Sequence, residues 1–525
     1  MFNIPTVTVD SETLDLAAAS VTLTYAAPVG VAWTPRHLLV RVNGSGSVSV
    51  NALLRLNGDT GANYNQQRLS GIGSSASASR TNSSNETVVA QFGTTVASVE
   101  ILLPDALSTR SHKSGLSFAG DSELRVDNYA FRWASTAAIT SVTIFGVGAN
   151  FTAGSTFELC VVDESFNIDQ AGDGEQILSS RSALTVSSIA ASNGDLVQIG
   201  NLRDVRTNAI ANTYVQYLNG DSGSNYYTQQ MLGGNTSVSS ASYNSAYAVA
   251  GICPSAPAGA NQFGAYLAIF PNYSGGSNDR SALTLFGLHQ SDPYSQTGMF
   301  STRWDNTAAI NEVNLTLLVG SSAGVGFDAN SMLSTYAVPK NLIERQELSG
   351  TASSVTFNSI PQTYDHLELT LYIRGDSSGQ PEAGLRNEFN GDTTVANYKR
   401  QHLIAYGTTV GAGTNDNNMP VDFPTTTSTA NVFGSVTYTI QNYTKTDRHK
   451  HYMVTAGDAD ENEIRTTSNR WTNTAAISSI VFTPSAGNFI AGSVFTLRGI
   501  SSTIPAASDI TSINGIAKAS ITAVN

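Results

Sequence analysis

Three short segments carry an Asn-Gly-Asp triplet followed closely by a tyrosine. Their candidate ligand-binding residues are Asn57, Asp59 and Tyr64, then Asn219, Asp221 and Tyr226, then Asn390, Asp392 and Tyr398. An amide and a carboxylate at a loop tip could hold calcium or a sugar, with the tyrosine ring as a stacking face. The triplet also predicts a tight turn, because glycine adopts positive φ freely and aspartate accepts nearby backbone N–H groups. The turn is favoured, since Asn-Gly is by itself a strong turn signal.

An Arg-Trp pair ahead of Thr-Ala-Ala-Ile also occurs three times. Its tryptophans are Trp133, Trp304 and Trp471. An indole within a strand buries roughly 200 Å². We therefore expect these three side chains to be structural core residues, with the arginine covering the ring or pairing with an acid. A carbohydrate platform is the alternative.

Two further groups have spacings that metal sites use. The first is Asp458, Asp460 and Asn462, which are two residues apart as in a calcium loop. The sixth position is then Glu463 rather than glycine and the twelfth is Asn469 rather than glutamate, which predicts a solvated acidic loop instead. The second group, His449 and His451, would share one strand face. Zinc needs further ligands that no nearby cysteine or histidine supplies, so we expect surface histidines and no metal site.

Motifs for catalysis are missing from the sequence. It contains no Gly-x-Ser-x-Gly elbow, no Walker A lysine and no His-Glu-x-x-His. The two carboxylates of a glycosidase have no sequence motif by which they could be recognised. A catalytic pair present in only one repeat, however, would leave the other two repeats without a catalytic role. We expect a protein that is not an enzyme and that has no catalytic residue and no cofactor.

Alternation of apolar and polar residues predicts strands throughout the chain. The clearest example is 366–373, which places Leu367, Leu369, Leu371 and Ile373 on one face. Turn signals follow about every ten residues, as in sandwiches. No segment keeps a helical period for a dozen residues. The expected class is all-β, with about eight to ten strands per unit in a jelly-roll-like β-sandwich.

The recurring segments keep the same order each time, which indicates a repeated domain. We predict three tandem jelly-roll-like β-sandwich repeats, at 1–165, 172–337 and 338–500, followed by a tail at 501–525. The tail is rich in isoleucine and belongs to no repeat. It could add a strand to a neighbouring molecule or be a loose terminus.

Composition restricts the partners. The 525 residues carry a net charge of −13, and an acidic surface repels phosphate backbones, so no nucleic-acid partner is expected. No apolar run reaches about 18 residues, so no membrane insertion is expected. Residues 1–10 lack the basic region of a secretory signal. Cys160 and Cys253 cannot form a disulfide framework. Serine, threonine and asparagine in place of charge are typical of the polar surface of all-β secreted or virion proteins.

The chain resembles the repeat domains of tailed-bacteriophage virion proteins. Three motifs carry the resemblance: Leu/Phe-Asn-Gly-Asp-Thr/Ser with a following Asn-Tyr, Trp-x-x-Thr-Ala-Ala-Ile, and Gly/Ala-Asn-Phe-x-Ala-Gly-Ser-x-Phe. The last motif is present at 149–157 and 487–495 and absent from the middle repeat. The resemblance implies a non-enzymatic structural protein on the particle surface, either a capsid decoration or a head-fibre protein. The alternative is a tail-fibre or receptor-binding protein with glycan-binding loops.

The same resemblance sets the expected partners and location. We expect contacts with other virion proteins of the capsid or tail, a host surface glycan in the alternative reading, and a virion location after release by host lysis. We also expect a homo-oligomer, with a trimer favoured because closed three-fold symmetry suits a shell. The three repeats could instead mimic a trimer within one chain.

Overall fold

The computed structural model describes residues 2, 4–121, 125–168, 180–192, 194–207, 211–275, 278–289, 294–318, 326–338, 341–501, 512–513 and 516–517. Within these ranges the regular structure is antiparallel β-strand with three short 3-10 turns, and no α-helix is present. The predicted all-β class is therefore confirmed. The described residues include no helix long and apolar enough to cross a membrane. Both cysteines are buried and carry free thiols.

The first group of strands, here called the first sandwich, lies within 6–162. Its strands are β1 (Thr6–Thr13), β2 (Ser20–Thr24), β3 (Leu38–Gly44), β4 (Val50–Leu56), β5 (Tyr64–Ile72), β6 (Ser75–Ser84), β7 (Thr87–Phe92), β8 (Ala97–Leu103), β9 (Lys113–Asp121), β10 (Arg125–Trp133), β11 (Ser141–Gly146) and β12 (Thr156–Val162). The large sheet has the order β1-β12-β3-β8-β9-β10-β5-β6, and the small sheet has the order β2-β11-β4-β7.

Eight of these strands have jelly-roll connectivity, because β1-β12-β3-β8 faces β2-β11-β4-β7 across an apolar core. The remaining four are two inserted antiparallel pairs, β5 with β6 and β9 with β10, and both extend only the large sheet. The sandwich therefore has more strands than the sequence predicted. The extra strands make one sheet twice as wide as the other.

The middle sandwich repeats this plan within 183–338. Its strands are β13 (Ala183–Val186), β14 (Asp195–Leu202), β15 (Ala211–Leu218), β16 (Tyr226–Gly234), β17 (Ser237–Ser245), β18 (Ala248–Pro254), β19 (Gly264–Phe270), β20 (Arg280–His289), β21 (Ser295–Trp304), β22 (Val313–Leu317) and β23 (Met332–Val338). The described large sheet has the order β17-β16-β21-β20-β19-β14-β23, and the small sheet has the order β13-β22-β15-β18. At the outer edge, Asn167 makes an isolated bridge to Tyr336 in the position that β1 takes in the first sandwich.

The third sandwich lies within 342–500 and has the full set of twelve strands. They are β24 (Leu342–Glu347), β25 (Val355–Phe357), β26 (His366–Ile373), β27 (Glu382–Phe389), β28 (Tyr398–Tyr406), β29 (Thr409–Asn415), β30 (Val421–Pro424), β31 (Gly434–Gln441), β32 (Lys450–Asp458), β33 (Glu463–Trp471), β34 (Ile480–Pro484) and β35 (Val494–Ile500). The sheets have the orders β24-β35-β26-β31-β32-β33-β28-β29 and β25-β34-β27-β30. In the predicted tail, the described residues are Ser501 and the short paired strands β36 (Ser512–Ile513) and β37 (Ile516–Ala517).

The inner strands of each large sheet are buried on both faces, which the alternation in the sequence did not indicate. In β26 the four predicted apolar residues do face the core of the third sandwich. Its other face, which carries Glu368 and Thr370, is buried as well. That second face packs against a neighbouring sandwich rather than water.

The three large sheets share one apolar centre. Each sandwich contributes residues to this centre from the inserted strand pairs and their neighbours: Leu69, Leu116 and Phe118, then Ile199, Met231 and Leu267, then Leu403, Met453 and Ile464. All are nearly or fully inaccessible to solvent. Burial of apolar area at this centre holds the three sandwiches together.

Glutamine side chains close the arrangement into a ring. Gln67 of the first sandwich donates from Nε2 to the carbonyl of Asn235 in the middle one, at 3.0 Å. In the same way Gln229 donates to Gly407 O of the third sandwich at 3.0 Å, and Gln401 donates to Gly73 O of the first at 3.1 Å. In every sandwich the donor glutamine lies three residues after the motif tyrosine. The acceptor carbonyl lies in the turn that follows the equivalent strand of the next sandwich. One chain thus forms a closed pseudo-three-fold ring.

A second side-chain contact is present at each of the three junctions between sandwiches, and its residue types differ from one junction to the next. His37 Nε2 lies 3.2 Å from Ser334 Oγ of the middle sandwich. Asp195 accepts from Arg498 of the third sandwich at 2.7 Å. His366 lies 2.9 Å from a carboxylate oxygen of Glu158 in the first sandwich. Each pair joins the start of β3, β14 or β26 to β23, β35 or β12 of the next sandwich, which is the strand that pairs with the equivalent inner strand there.

Close packing at the centre depends on a glycine that occurs at one position in each sandwich. Gly120 packs on Ser468, Gly287 on Ala130 and Gly457 on Ser301, each in a neighbouring sandwich. A methyl group at any of these glycines would overlap the neighbouring side chain. The three partner residues are equivalent too, since each lies three positions before a motif tryptophan.

The substitution Gly287→Ala tests this packing. We expect it to lower the free energy of unfolding by about 1–3 kcal/mol, because an extra methyl group in a filled interface forces the backbones apart. Denaturant unfolding would measure the change. Gly350→Ala is the matched control, since this exposed glycine has open space around its Cα and should be neutral or slightly stabilising. Equal effects of the two substitutions would contradict the packing argument.

Candidate functional site

The Asn-Gly-Asp triplets form tight turns, as the favoured interpretation expects. In the first, φ is 52° at Asn57 and 65° at Gly58, and the Asp59 N–H donates to Leu56 O at 3.0 Å. Both central residues at positive φ define a type I′ turn. The other two copies have φ of 52° at Asn219 and Asn390, and 68° and 71° at Gly220 and Gly391. The turn joins a strand of the small sheet to a strand of the large sheet, so it links the two layers rather than closing a hairpin.

The motif asparagine fastens this turn to the Thr-Ala-Ala-Ile loop. Asn57 accepts at Oδ1 from Thr140 N at 2.7 Å and donates from Nδ2 to Ala138 O at 2.8 Å. The same donation runs from Asn219 to Ala309 O and from Asn390 to Ala476 O, both at 2.7 Å. The two recurring motifs of the sequence are therefore in contact with each other.

The motif aspartate binds the motif tryptophan. Trp133 Nε1 donates to Asp59 Oδ2 at 2.6 Å, Asn63 Nδ2 donates to the same oxygen at 2.8 Å, and Gly61 N donates to Oδ1 at 2.7 Å. Burial by itself would raise the pKa of Asp59, but these hydrogen bonds outweigh it and hold the pKa below its usual range. The indole donates equally to Asp221 at 2.8 Å and to Asp392 at 2.7 Å. We call each such pair an Asp–Trp latch.

The motif tyrosines complete the latch from inside. Tyr64, Tyr226 and Tyr398 are each 0% exposed. The Tyr64 hydroxyl accepts from Leu56 N at 2.9 Å, and its ring stacks on Trp133 with centroids 6.5 Å apart. None of the three rings presents a face to solvent, so the interpretation of these tyrosines as a sugar-stacking face is wrong. The three tryptophans are buried with them.

A buried cation holds the loop beyond each latch. Lys113, Arg280 and Lys450 occupy one equivalent position, opposite the motif tryptophan in the sheet. Lys113 Nζ donates to Thr136 O at 3.3 Å, Lys450 Nζ donates to Thr474 O at 2.9 Å, and Arg280 donates to Ala308 O at 2.9 Å. Burial lowers the pKa of both lysines to about 8. These cations satisfy loop carbonyls, which is a structural role.

The acidic loop of the third sandwich is not solvated, contrary to the expectation from its sequence. Asp460 accepts from Arg303 of the middle sandwich at 2.7 Å and from Thr429 N at 2.8 Å. Asp458 is only 5% exposed, and burial raises its pKa to about 7. The loop packs into the contact between two sandwiches. Across the described ranges, no cluster of three His, Cys, Asp or Glu residues is placed to hold a metal ion.

The expectation of surface histidines is wrong for His451. This side chain is fully buried, and its two ring nitrogens each lie 2.9 Å from a serine hydroxyl, Ser98 of the first sandwich and Ser468 of its own. Burial lowers the pKa of His451 to about 3, which keeps the ring neutral. His449 lies half-buried at the same contact between sandwiches.

Comparisons with known proteins place the chain in no family. No family model and no curated protein matches it. Among solved structures, an exo-inulinase from Aspergillus awamori is 10% identical with a TM-score of 0.19, covering 95% of this chain and 96% of that one. The tesB protein of Mycobacterium avium subs paratuberculosis is 8% identical with a TM-score of 0.09, covering 47% and 79%. Likeness at this level carries no argument about activity.

The Asp–Trp latch can be tested by removing its carboxylate. We expect Asp392→Ala to lower the free energy of unfolding by about 2 kcal/mol, because the buried indole N–H of Trp471 loses a charged acceptor. Denaturant unfolding followed by tryptophan fluorescence would measure it. A double-mutant cycle with Trp471→Phe should show that most of the loss is shared between the two positions.

The control is Asp416→Ala, which removes an exposed carboxylate that pairs with Lys399 on the surface of the same sandwich. Exposed pairs contribute about 0–1 kcal/mol, so this variant should resemble the wild type. Additive effects of Asp392→Ala and Trp471→Phe would contradict the latch.

The raised pKa of Asp458 predicts that the stability of the protein depends on pH, and one variant can isolate the contribution of this group. Its pKa of about 7 in the folded protein is above its value of 3.8 when unfolded, so the stability tied to its neutral form is full below pH 4 and is lost as the pH rises to 7. Asp458→Asn mimics the neutral form. We expect its melting temperature to match that of the wild type near pH 4, to exceed it increasingly up to about pH 7, and to keep a constant excess above that. A difference that stays constant over this range would contradict the assignment, and Asp416→Asn, which neutralises an exposed carboxylate, serves as the control for the substitution itself.

Proposed function

We propose that this chain is a non-enzymatic structural component of a tailed-phage virion, exposed on the particle surface as a capsid decoration or head-fibre protein. The observation that supports this most directly is the closed ring of three jelly-roll sandwiches within one chain. Such a ring presents three similar surfaces about a common axis. A partner site with three-fold symmetry can then be contacted three times by a single rigid body.

Repetition of weak contacts supplies the affinity that this role needs. When three surfaces are joined rigidly, binding of the first raises the effective concentration of the other two, so strong attachment requires no single strong contact. The recurring motifs agree with a structural role, because the polar groups of the Asp–Trp latches and of the buried cations form hydrogen bonds that stabilise the fold. The resemblance to phage virion repeat domains supports the proposed location.

The ring also bears on the expected homo-oligomer. In this proposal one chain takes the place on a three-fold axis that three subunits of a trimer would take. Association of further copies along the same axis would build the tiers of a fibre, and other virion proteins would contact the end of the ring. The alternative, a tail-fibre or receptor-binding protein, can no longer rest on the buried motif tyrosines.

Immunogold labelling of purified particles with antibody to the chain tests the location. We expect gold over the head shell. Quantitative mass spectrometry of the same particles should give one copy of this chain for every three capsid subunits at the occupied sites. Gold at the tail would favour the receptor-binding alternative. Recovery of the chain only from the soluble lysate, never on particles, would contradict both.

A further inference from the structure

A cleft of about 440 Å³ opens on the middle sandwich, between the edge hairpin β16–β17 and the small-sheet strands β15 and β18. This volume lies in the range of small-molecule sites. The residues that define its chemistry are Leu232, Phe300, Tyr243, Tyr247, Gln230 and Asn244. Among the described residues that line it, no side chain carries a charge.

The floor of the cleft is an apolar cluster separate from the sandwich core. It consists of Leu232, Phe286, Leu288 and Phe300, with Val249 and Ile252 packed against it. Phe286 and Phe300 stack with centroids 5.3 Å apart, which fixes the floor. Because the cluster is buried and closely packed, the floor is preformed.

The other two sandwiches carry charges at this place. The strand register shows that the position of Leu288 is occupied by Asp121 in the first sandwich and by Asp458 in the third. In the first sandwich the space is occupied by the ion pair of Arg125 with Asp127, at 2.6 Å. In the third it is occupied by a cluster in which Arg465 pairs with Asp422 at 2.6 Å. The apolar cleft therefore belongs to the middle sandwich, and the pseudo-three-fold symmetry of the fold does not account for it.

The rim combines aromatic and neutral polar groups. Tyr243, on the edge strand β17, is 40% exposed. Tyr247 lies edge-to-face on Tyr217 with centroids 6.4 Å apart, which holds its ring in place. Gln230 adds an amide donor and acceptor beside the rings, on the same face of the hairpin as Tyr243. An exposed aromatic ring next to amides suits a pyranose, whose C–H face packs on the ring while its hydroxyls bond the amides.

We propose that this cleft binds an uncharged glycan, with Tyr243 as the stacking platform and Gln230 as a hydrogen-bond partner. The neutral lining disfavours an acidic sugar, whose carboxylate would lose water without gaining a cation. The proposal stands on the middle sandwich alone. It holds for a head or a tail position of the chain, so the labelling experiment and the binding experiment can fail separately.

Isothermal titration calorimetry of the full chain would test the site. The probes are maltohexaose, cellohexaose and chitohexaose as neutral oligosaccharides, and a hexamer of galacturonic acid as the acidic comparator. We expect at least one neutral probe to bind and the acidic one not to bind. Tyr243→Ala should weaken the bound probe at least tenfold, whereas Tyr243→Phe, which keeps the ring, should stay within about threefold of the wild type.

Tyr406→Ala is the matched control, because Tyr406 is a tyrosine of the third sandwich that is 51% exposed and does not line the cleft, although the neighbouring Gly407 accepts from Gln229 of the same hairpin. It should bind as the wild type does, and equal melting temperatures would show that both alanine variants are folded. The proposal is overturned if no neutral probe binds at 10 mM, if Tyr243→Ala binds as well as the wild type, or if the galacturonic acid hexamer binds as tightly as the neutral probes.

Discussion

The close approach of three large sheets at one centre is the constraint on which the rest of this structure depends. A sheet in an isolated sandwich buries one face and leaves the other to water. Here the second face of each large sheet is covered by two other sandwiches. The glycines at 120, 287 and 457 permit that approach, since each takes the side chain of a neighbouring sandwich where its own Cβ would stand.

Burial on both faces governs which polar groups the strands can carry. Serine and threonine are common in the sequence, and many of them lie between sandwiches rather than on the surface. Ser114 donates to Asn201 at 2.8 Å across one contact, and the hydroxyls of Ser281 and Ser435 are bonded across another. A buried hydroxyl costs little once it is hydrogen-bonded, and it fits where sheets approach closely. The expectation that these residues form a polar surface was therefore correct only in part.

Local signals explain what the sequence predicted well. The alternation at Leu367, Leu369 and Leu371 identified a strand and its core face, and each Asn-Gly pair identified a turn. Both depend on residues a few positions apart, and so does the all-β class. Turn signals at regular spacing also predict a sandwich, although they do not determine which strands pair.

Contacts between sandwiches explain what the sequence did not predict. His451, Asp458 and Asp460 looked solvent-exposed because their partners lie far away in the chain; Asp460, for example, pairs with Arg303. One signal for these contacts was present in the sequence. Glutamine recurs three residues after each motif tyrosine, and glycine recurs seven residues after each of Lys113, Arg280 and Lys450. Such positions have no role inside one sandwich, so their recurrence indicates contact between sandwiches.

Covalent linkage of the three sandwiches permits differences that a homotrimer cannot have. In a homotrimer the three interfaces are identical, whereas here the equivalent pairs are histidine with serine, aspartate with arginine, and histidine with glutamate. A buried ion pair adds little net stability. Separating its two members, however, leaves a buried charge unpaired, which costs about 3–5 kcal/mol. A sandwich docked in the wrong order would bring together unmatched members of these pairs, so their chemistry selects the order observed. The same freedom lets one sandwich replace a charged cluster by an apolar cleft while the other two keep theirs, so a pseudo-symmetric ring can carry a single asymmetric feature.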